Sequence, residues 1–97
     1  MTKGHLYMIY GGCLKNGHIK VGRTRENAVV DLRTRYQTYY GDFEGWMVKS
    51  DDTEIHETQL KNCLARIKYS GEIFECRVAK MKNYLKCITG ANKCTRI

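Results

Sequence analysis

The chain has 97 residues, a hydrophobic fraction of 42% and a formal net charge of +7. This length supports one domain with a single modest core, and the apolar content excludes an intrinsically disordered polymer. So large a positive balance makes a polyanion the first partner to consider, with nucleic acid ahead of a merely solvated basic surface. Five cysteines, an odd number with no Cys-x-x-Cys pair, exclude the usual zinc and redox spacings. Cys63 and Cys87 fall on apolar helical stripes and read as small hydrophobes. No apolar run is long enough for a bilayer and no signal-peptide core opens the chain. The expectation is therefore an intracellular protein, of the cytoplasm or nucleus, that is neither secreted nor in a membrane.

The chain opens with two apolar-aromatic runs, 6–10 and 19–21, around Asn16-Gly17. Asn-Gly between alternating hydrophobics is the strongest short-range signal for a tight hairpin, since both central residues accept positive φ. The second run stops at Gly22, and a helix is expected over 24–38 with Glu26 in its first turn. Ala28, Val29, Leu32 and Tyr36 make its core stripe, with Arg33 and Arg35 on opposite shoulders. The helix stops at Gly41, and 43–49 reads as a third strand weakened by Gly45.

Ser50-Asp51-Asp52-Thr53 is a dense N-cap signal, and Asp51 with Glu54 has capping-box spacing. The helix it opens is expected to run to about Tyr69, with His56, Leu60, Cys63, Leu64 and Ile67 on one stripe. Glu57 lies on the shoulder of that stripe, whereas Glu54 points away. After Ser70-Gly71 comes a short extended piece, 72–76, and then a helix marked by Val78, Met81, Leu85 and Ile88. Lys80, Lys82 and Lys86 form its outer face, and residues 89–97 read as a frayed polar tail. The fold expected is α/β (α+β): a small three-stranded antiparallel sheet flanked by helices, one domain over 1–97 with its core in 5–88.

The ordered set Leu6-Tyr7, Lys20-Val21-Gly22, Asp31-Leu32-x-x-Arg35, Glu57 and Gly71-Glu72-Ile73-Phe74 resembles the GIY-YIG nuclease superfamily. The likeness is closest to its small viral and phage-type branch and covers roughly residues 5–76. The resemblance implies a metal-dependent endonuclease acting on DNA. It gives Tyr7 the role of general base or water-orienting group and places Lys20, where the namesake motif has a second tyrosine, as a cation beside the scissile phosphate. Gly22 and Gly71 take the motif's structural glycine positions, and Arg35 is the helical arginine that offsets phosphate charge. Glu57 is the implied ligand of one Mg²⁺ or Mn²⁺, preferred over Glu54, which reads as a cap, and Glu72, which belongs to the Gly-Glu-x-Phe piece. Arg23 and Arg33 are left as phosphate contacts.

Each residue also has a plain structural reading. Tyr7 is an ordinary strand aromatic, Lys20 a solvent-facing lysine, and Glu57 an exposed partner of Lys61 four residues on. The alternative function is a nucleic-acid-binding module of the same fold that cuts weakly or not at all. The late asparagine common in the family has no motif-borne match; Asn83 and Asn92 are the candidates. With no second domain to read bases, a homodimer or a separate targeting partner would have to supply specificity.

Overall fold

In a computed structural model the chain is described over residues 3–25 and 29–97. Among the described residues, six antiparallel strands form one sheet in the order β4-β5-β2-β1-β3-β6. Its centre is three eight-residue strands, β1 (Gly4–Gly11), β2 (His18–Arg25) and β3 (Phe43–Ser50). The sheet is thus twice as wide as the three strands read from sequence. The hairpin β4 (Lys68–Ser70) and β5 (Ile73–Glu75) extends the β2 side, and β6 (Thr95–Arg96) extends the β3 side.

The β1–β2 register pairs Ile9 with Lys20 and Tyr7 with Gly22, which centres the turn near Leu14 and Lys15. A two-residue turn on Asn16-Gly17 is incompatible with that register. Instead six residues, 12–17, connect the strands. β2 also continues through Gly22 to Arg25, because β1 begins at Gly4 and supplies it with ladder partners that far. The first helix, α1 (Val29–Tyr40), accordingly starts later than expected; Glu26 and Ala28 lie outside the described residues.

Alternation along the strands divides the core in two. Leu6, Met8, Ile19, Val21 and Val48 project to one face, where they meet Leu60 and Leu64 beside α2 (Thr53–Cys63) and Met81 and Leu85 of α3 (Val78–Thr89). Tyr7, Ile9, Phe43 and Met47 project to the other face and are covered by Leu32 of α1, with Tyr36 and Tyr40 beside it. Each fully buried aliphatic side chain here contributes roughly 1.5–3 kcal/mol.

Further expectations change. Asp52, not Asp51, caps α2 and accepts from the Ile55 amide at 3.4 Å. That helix ends at Cys63, and a 3₁₀ turn, Ala65–Ile67, leads into β4. The Leu60–Leu64–Ile67 spacing persists across the change in helix type, so periodicity alone could not place the end. Cys63 and Cys87 are exposed.

The tail is not frayed. Thr95 and Arg96 pair with Met47 and Trp46, the Ile97 amide donates to the Gly45 carbonyl at 3.0 Å, and Arg33 donates to the Ile97 carbonyl at 3.1 Å. Gly45 does not interrupt β3. A Cβ there would lie 2.7 Å from the Met8 carbonyl oxygen and 3.0 Å from Ile97 Cδ1, so the glycine makes room for both neighbours. Among the described residues, no helix is long and apolar enough to cross a membrane.

Candidate active site

The α1 face of the sheet carries a cluster of phenols and cations. In an antiparallel pair, directly opposed residues share a face, so Tyr7, Ile9, Lys20 and Gly22 all project toward α1. The Tyr7 ring lies directly over Gly22. A Cβ at Gly22 would sit 2.5 Å from the Tyr7 hydroxyl and 2.7 Å from Cζ. The glycine therefore serves the tyrosine: without a side chain at 22, the phenol can lie flat against β2.

Tyr36 of α1 completes the cluster. Its hydroxyl shares a hydrogen bond with that of Tyr7, and the two ring centroids are 5.6 Å apart. Lys20 Nζ stands 5.1 Å from the Tyr36 ring centroid and Arg35 Cζ 5.0 Å from it. Both cations thus flank the ring whose hydroxyl is bonded to Tyr7. The two shoulders of α1, indistinguishable by spacing, are separated here. Arg35 sits with the phenols, whereas Arg33 lies 5.1 Å over the Phe43 ring and holds down the chain at Ile97.

Burial pushes the Tyr7 phenol well above its ordinary value, and the Tyr36 hydrogen bond and the nearby Glu72 charge add to this. Arg35 opposes the shift but is outweighed. Tyr7 is therefore a neutral hydroxyl at physiological pH and does not present a phenolate. Lys20 is not among the charges that act on the Tyr7 phenol. Its ammonium is hydrogen-bonded to Glu72 at 3.1 Å. Burial would lower the Lys20 pKa, but the Glu72 hydrogen bond and the neighbouring Tyr36 carry it above the usual lysine value. Burial likewise disfavours ionised Glu72, yet Lys20 and Lys61 together hold that carboxyl below its usual range.

Glu57 belongs to the other side of the sheet. Arg23 opposes Leu6 and so faces α2, where it contacts Glu54 at 3.3 Å and Glu57 at 3.7 Å. Lys61 lies 3.7 Å from Glu57 and 3.5 Å from Glu72. A line of alternating charge results, running Lys20–Glu72–Lys61–Glu57–Arg23–Glu54 around the end of β5. It joins Glu57 to the phenol cluster at one remove. The Glu57–Lys61 pair of the plain structural reading is present, although the Glu57 side chain is only 15% exposed.

Tyr7, Lys20 and Arg35 therefore gather around Tyr36, Glu57 connects to them through Lys61 and Glu72, and Arg33 stands apart. Arg23 is engaged by two carboxylates. Gly71, at φ +54°, makes the tight turn between β4 and β5 that no side chain would favour, and it delivers Glu72 to Lys20 and Lys61. Sequence alone gives Tyr36 no place in the site, weighs Glu72 only as a rival metal ligand and Lys61 only as the partner of Glu57. Tyr36 had the spacing of a core residue, and only its phenol hinted at more.

Asn83 lines a groove with Lys86 on the α3 side of the sheet, away from this cluster. His56 Nδ1 bonds Ser50 Oγ at 2.6 Å, a local tie between α2 and β3. Among the described residues, no group of three or more His, Cys, Asp or Glu converges as a metal cage. A lone carboxylate supplemented by waters and a substrate phosphate is a normal Mg²⁺ arrangement; Glu57, the donor that the resemblance implies, has Arg23 and Lys61 each at 3.7 Å from its carboxylate. No protein-family model, curated protein or solved structure matches the chain.

Proposed function

We propose that this chain is a GIY-YIG-type endonuclease, dependent on Mg²⁺ or Mn²⁺, that hydrolyses phosphodiester bonds in nucleic acid, DNA first. The observation that carries the reading is the cluster of Tyr7, Tyr36, Lys20 and Arg35 on one sheet face, with Glu57 reached through Lys61 and Glu72. Two buried-side phenols beside two cations suit a phosphate whose charge grows as water attacks in line. Lys20 and Arg35 offset that charge, and neutral Tyr7 orients the water through its hydroxyl, shared with Tyr36. The new bond joins water oxygen to phosphorus and the bond to the 3′ oxygen breaks; the attacking water gives up a proton to solvent and the 3′ oxygen takes one from solvent, which leaves a 5′-phosphate and a 3′-hydroxyl. Glu57 would hold the divalent ion, which supplies Lewis-acid polarisation of a phosphate oxygen and a more acidic bound water.

A second reading is favoured by a specific observation. Glu57 already has Arg23 and Lys61 within 3.7 Å, and burial keeps Tyr7 neutral. Both features suit a module that binds nucleic acid and cuts weakly or not at all. In either case contacts are to phosphates, so affinity falls steeply with salt, and base selection comes from a second copy or a targeting partner.

Supercoiled plasmid separates the two. With Mg²⁺ or Mn²⁺ and no chelator, the protein should nick it, and EDTA should stop the reaction. Glu57→Ala should reduce nicking by about a hundredfold or more, the scale for losing a group that stabilises transition-state charge. Undiminished nicking by Glu57→Ala would dismiss the assignment. Salt-sensitive binding without any metal-dependent cutting would establish the binding module instead.

A further inference from the structure

The opposite face of the sheet carries an aromatic surface that the proposed active site does not use. Trp46 opposes Met8 across β1 and β3, so its ring projects toward α3, not α1. Its indole N–H donates to the Tyr10 hydroxyl at 3.2 Å, which fixes the ring beside a second aromatic. Lys82 Nζ lies 3.6 Å from the Trp46 centroid and Arg96 Cζ 5.2 Å from it. Val78, Lys82 and Lys86 recur every four residues on α3, with Ala79 and Asn83 alongside, and they wall a shallow groove of about 420 Å³ over Trp46 and Tyr10. Among the described residues, no carboxylate lines it. The neighbouring Glu44 is bound by Arg96 at 2.7 Å. Lys82 and Lys86 were expected on the solvent face of α3; they are instead half-buried against this groove.

We propose that this groove binds a segment of single-stranded nucleic acid, with a base against Trp46 and successive phosphates at Lys82 and Lys86. A rigid indole with adjacent cations and no acid is complementary to a ligand that alternates flat rings with negative charge. One turn of α3 separates the Cα atoms of Lys82 and Lys86 by about 6 Å along the axis, a step that lets the two side chains reach adjacent phosphates of an extended strand. A duplex hides its base faces in the stack, whereas a single strand can offer one to an aromatic platform. Lys82 now rests on the ring and holds the place of the base. On binding it swings to a phosphate and leaves the ring to the stronger stacking interaction. An acidic peptide would satisfy the lysines but leave the aromatic floor unused. The proposal is independent of cleavage, because the groove and the phenol cluster lie on opposite sheet faces.

Trp46 is the only tryptophan of the chain and so reports on its own groove. The full-length protein in EDTA is titrated with a short oligothymidylate while Trp46 emission is followed at several salt concentrations. Saturable quenching is expected. Lys82→Ala/Lys86→Ala should weaken binding roughly tenfold and reduce the slope of log K against log salt by about 1.4, or about 0.7 for each phosphate that is no longer neutralised. Lys15→Ala/Lys49→Ala, which removes equal charge elsewhere, should leave the slope nearly intact. Urea unfolding midpoints confirm that both variants are folded. Quenching that is absent, or identical in the Lys82/Lys86 variant, overturns the proposal. Equal quenching by inorganic polyphosphate would show that bases play no part, and stronger quenching by polyglutamate would make the partner an acidic protein; either result also overturns it.

Discussion

Gly22→Ala tests the packing on which the phenol cluster depends. The added methyl would lie 2.5 Å from the Tyr7 hydroxyl, 2.7 Å from Cζ and 3.0 Å from Cε2. The Tyr7 ring cannot simply swing away, since it is 2% exposed and packs among Ile9, Leu32 and Met47. Overpacking of this kind costs about 1–3 kcal/mol. Loss of the Tyr7–Tyr36 hydrogen bond adds about 0.5–1.5 kcal/mol. Against this, alanine restricts the unfolded chain and returns about 0.4–1 kcal/mol. The balance is about 2 kcal/mol of destabilisation, or a fall in Tm on the order of 10 °C for a domain of this size. Urea unfolding followed by Trp46 fluorescence measures it. The decisive comparison is a double-mutant cycle with Tyr7→Leu, which lacks all three clashing atoms. In that background Gly22→Ala should cost nearly nothing. An equal cost in both backgrounds would refute the reasoning and place the requirement for glycine in the backbone.

The Lys20–Glu72 pair gives stability a defined pH dependence. Glu72 is held below its ordinary 4.5, so its contribution is complete above that pH and lost as the pH falls through the lower folded value. Lys20 is raised above 10.5, so its contribution is complete below that pH and lost as the pH rises through the higher folded value. Urea midpoints of Glu72→Gln should therefore lack part of the acid-side loss seen in the parent, and curves of identical shape would count against the pair. At the other sheet edge, the Ile97 amide should be protected from hydrogen exchange by the Gly45 carbonyl, and Arg33→Ala should reduce that protection. Exchange of Ile97 at a free-peptide rate in the parent would contradict the pairing of β6.

The elements that could be read in advance were those whose periodicity reflects burial on one face. Leu6, Met8, Ile19 and Val21 alternate because one side of the hairpin is core, and Met81 and Leu85 recur because α3 covers that side. Register and boundaries depend on partners distant in sequence. Only the pairing of β1 with β2 as far as Gly4 and Arg25 tells that β2 runs past Gly22, and no local signal encodes it. The two-residue strand β6 has no pattern of its own and exists because β3 offers it an edge. At the site, the Arg35 spacing and Gly22 were visible as types at positions, but what they touch was not. The tyrosine that binds Tyr7, and the carboxylate that takes Lys20, are set by how α1 and the β4–β5 turn lie on the sheet.

The closure of the sheet by β6 bears on how the chain behaves among copies of itself. β3 alternates Phe43, Met47 and other apolar residues along eight positions, and a strand of that length with an open edge is a template for intermolecular pairing. Thr95 and Arg96 occupy the middle of that edge, and Lys49, exposed near its far end, discourages a neighbour from docking there. Thr95 and Arg96 thus leave less of the β3 edge open to a second copy. A chain shortened before Thr95 would keep its fold centre, yet it would offer β3 to the next molecule, and loss of solubility would precede loss of structure.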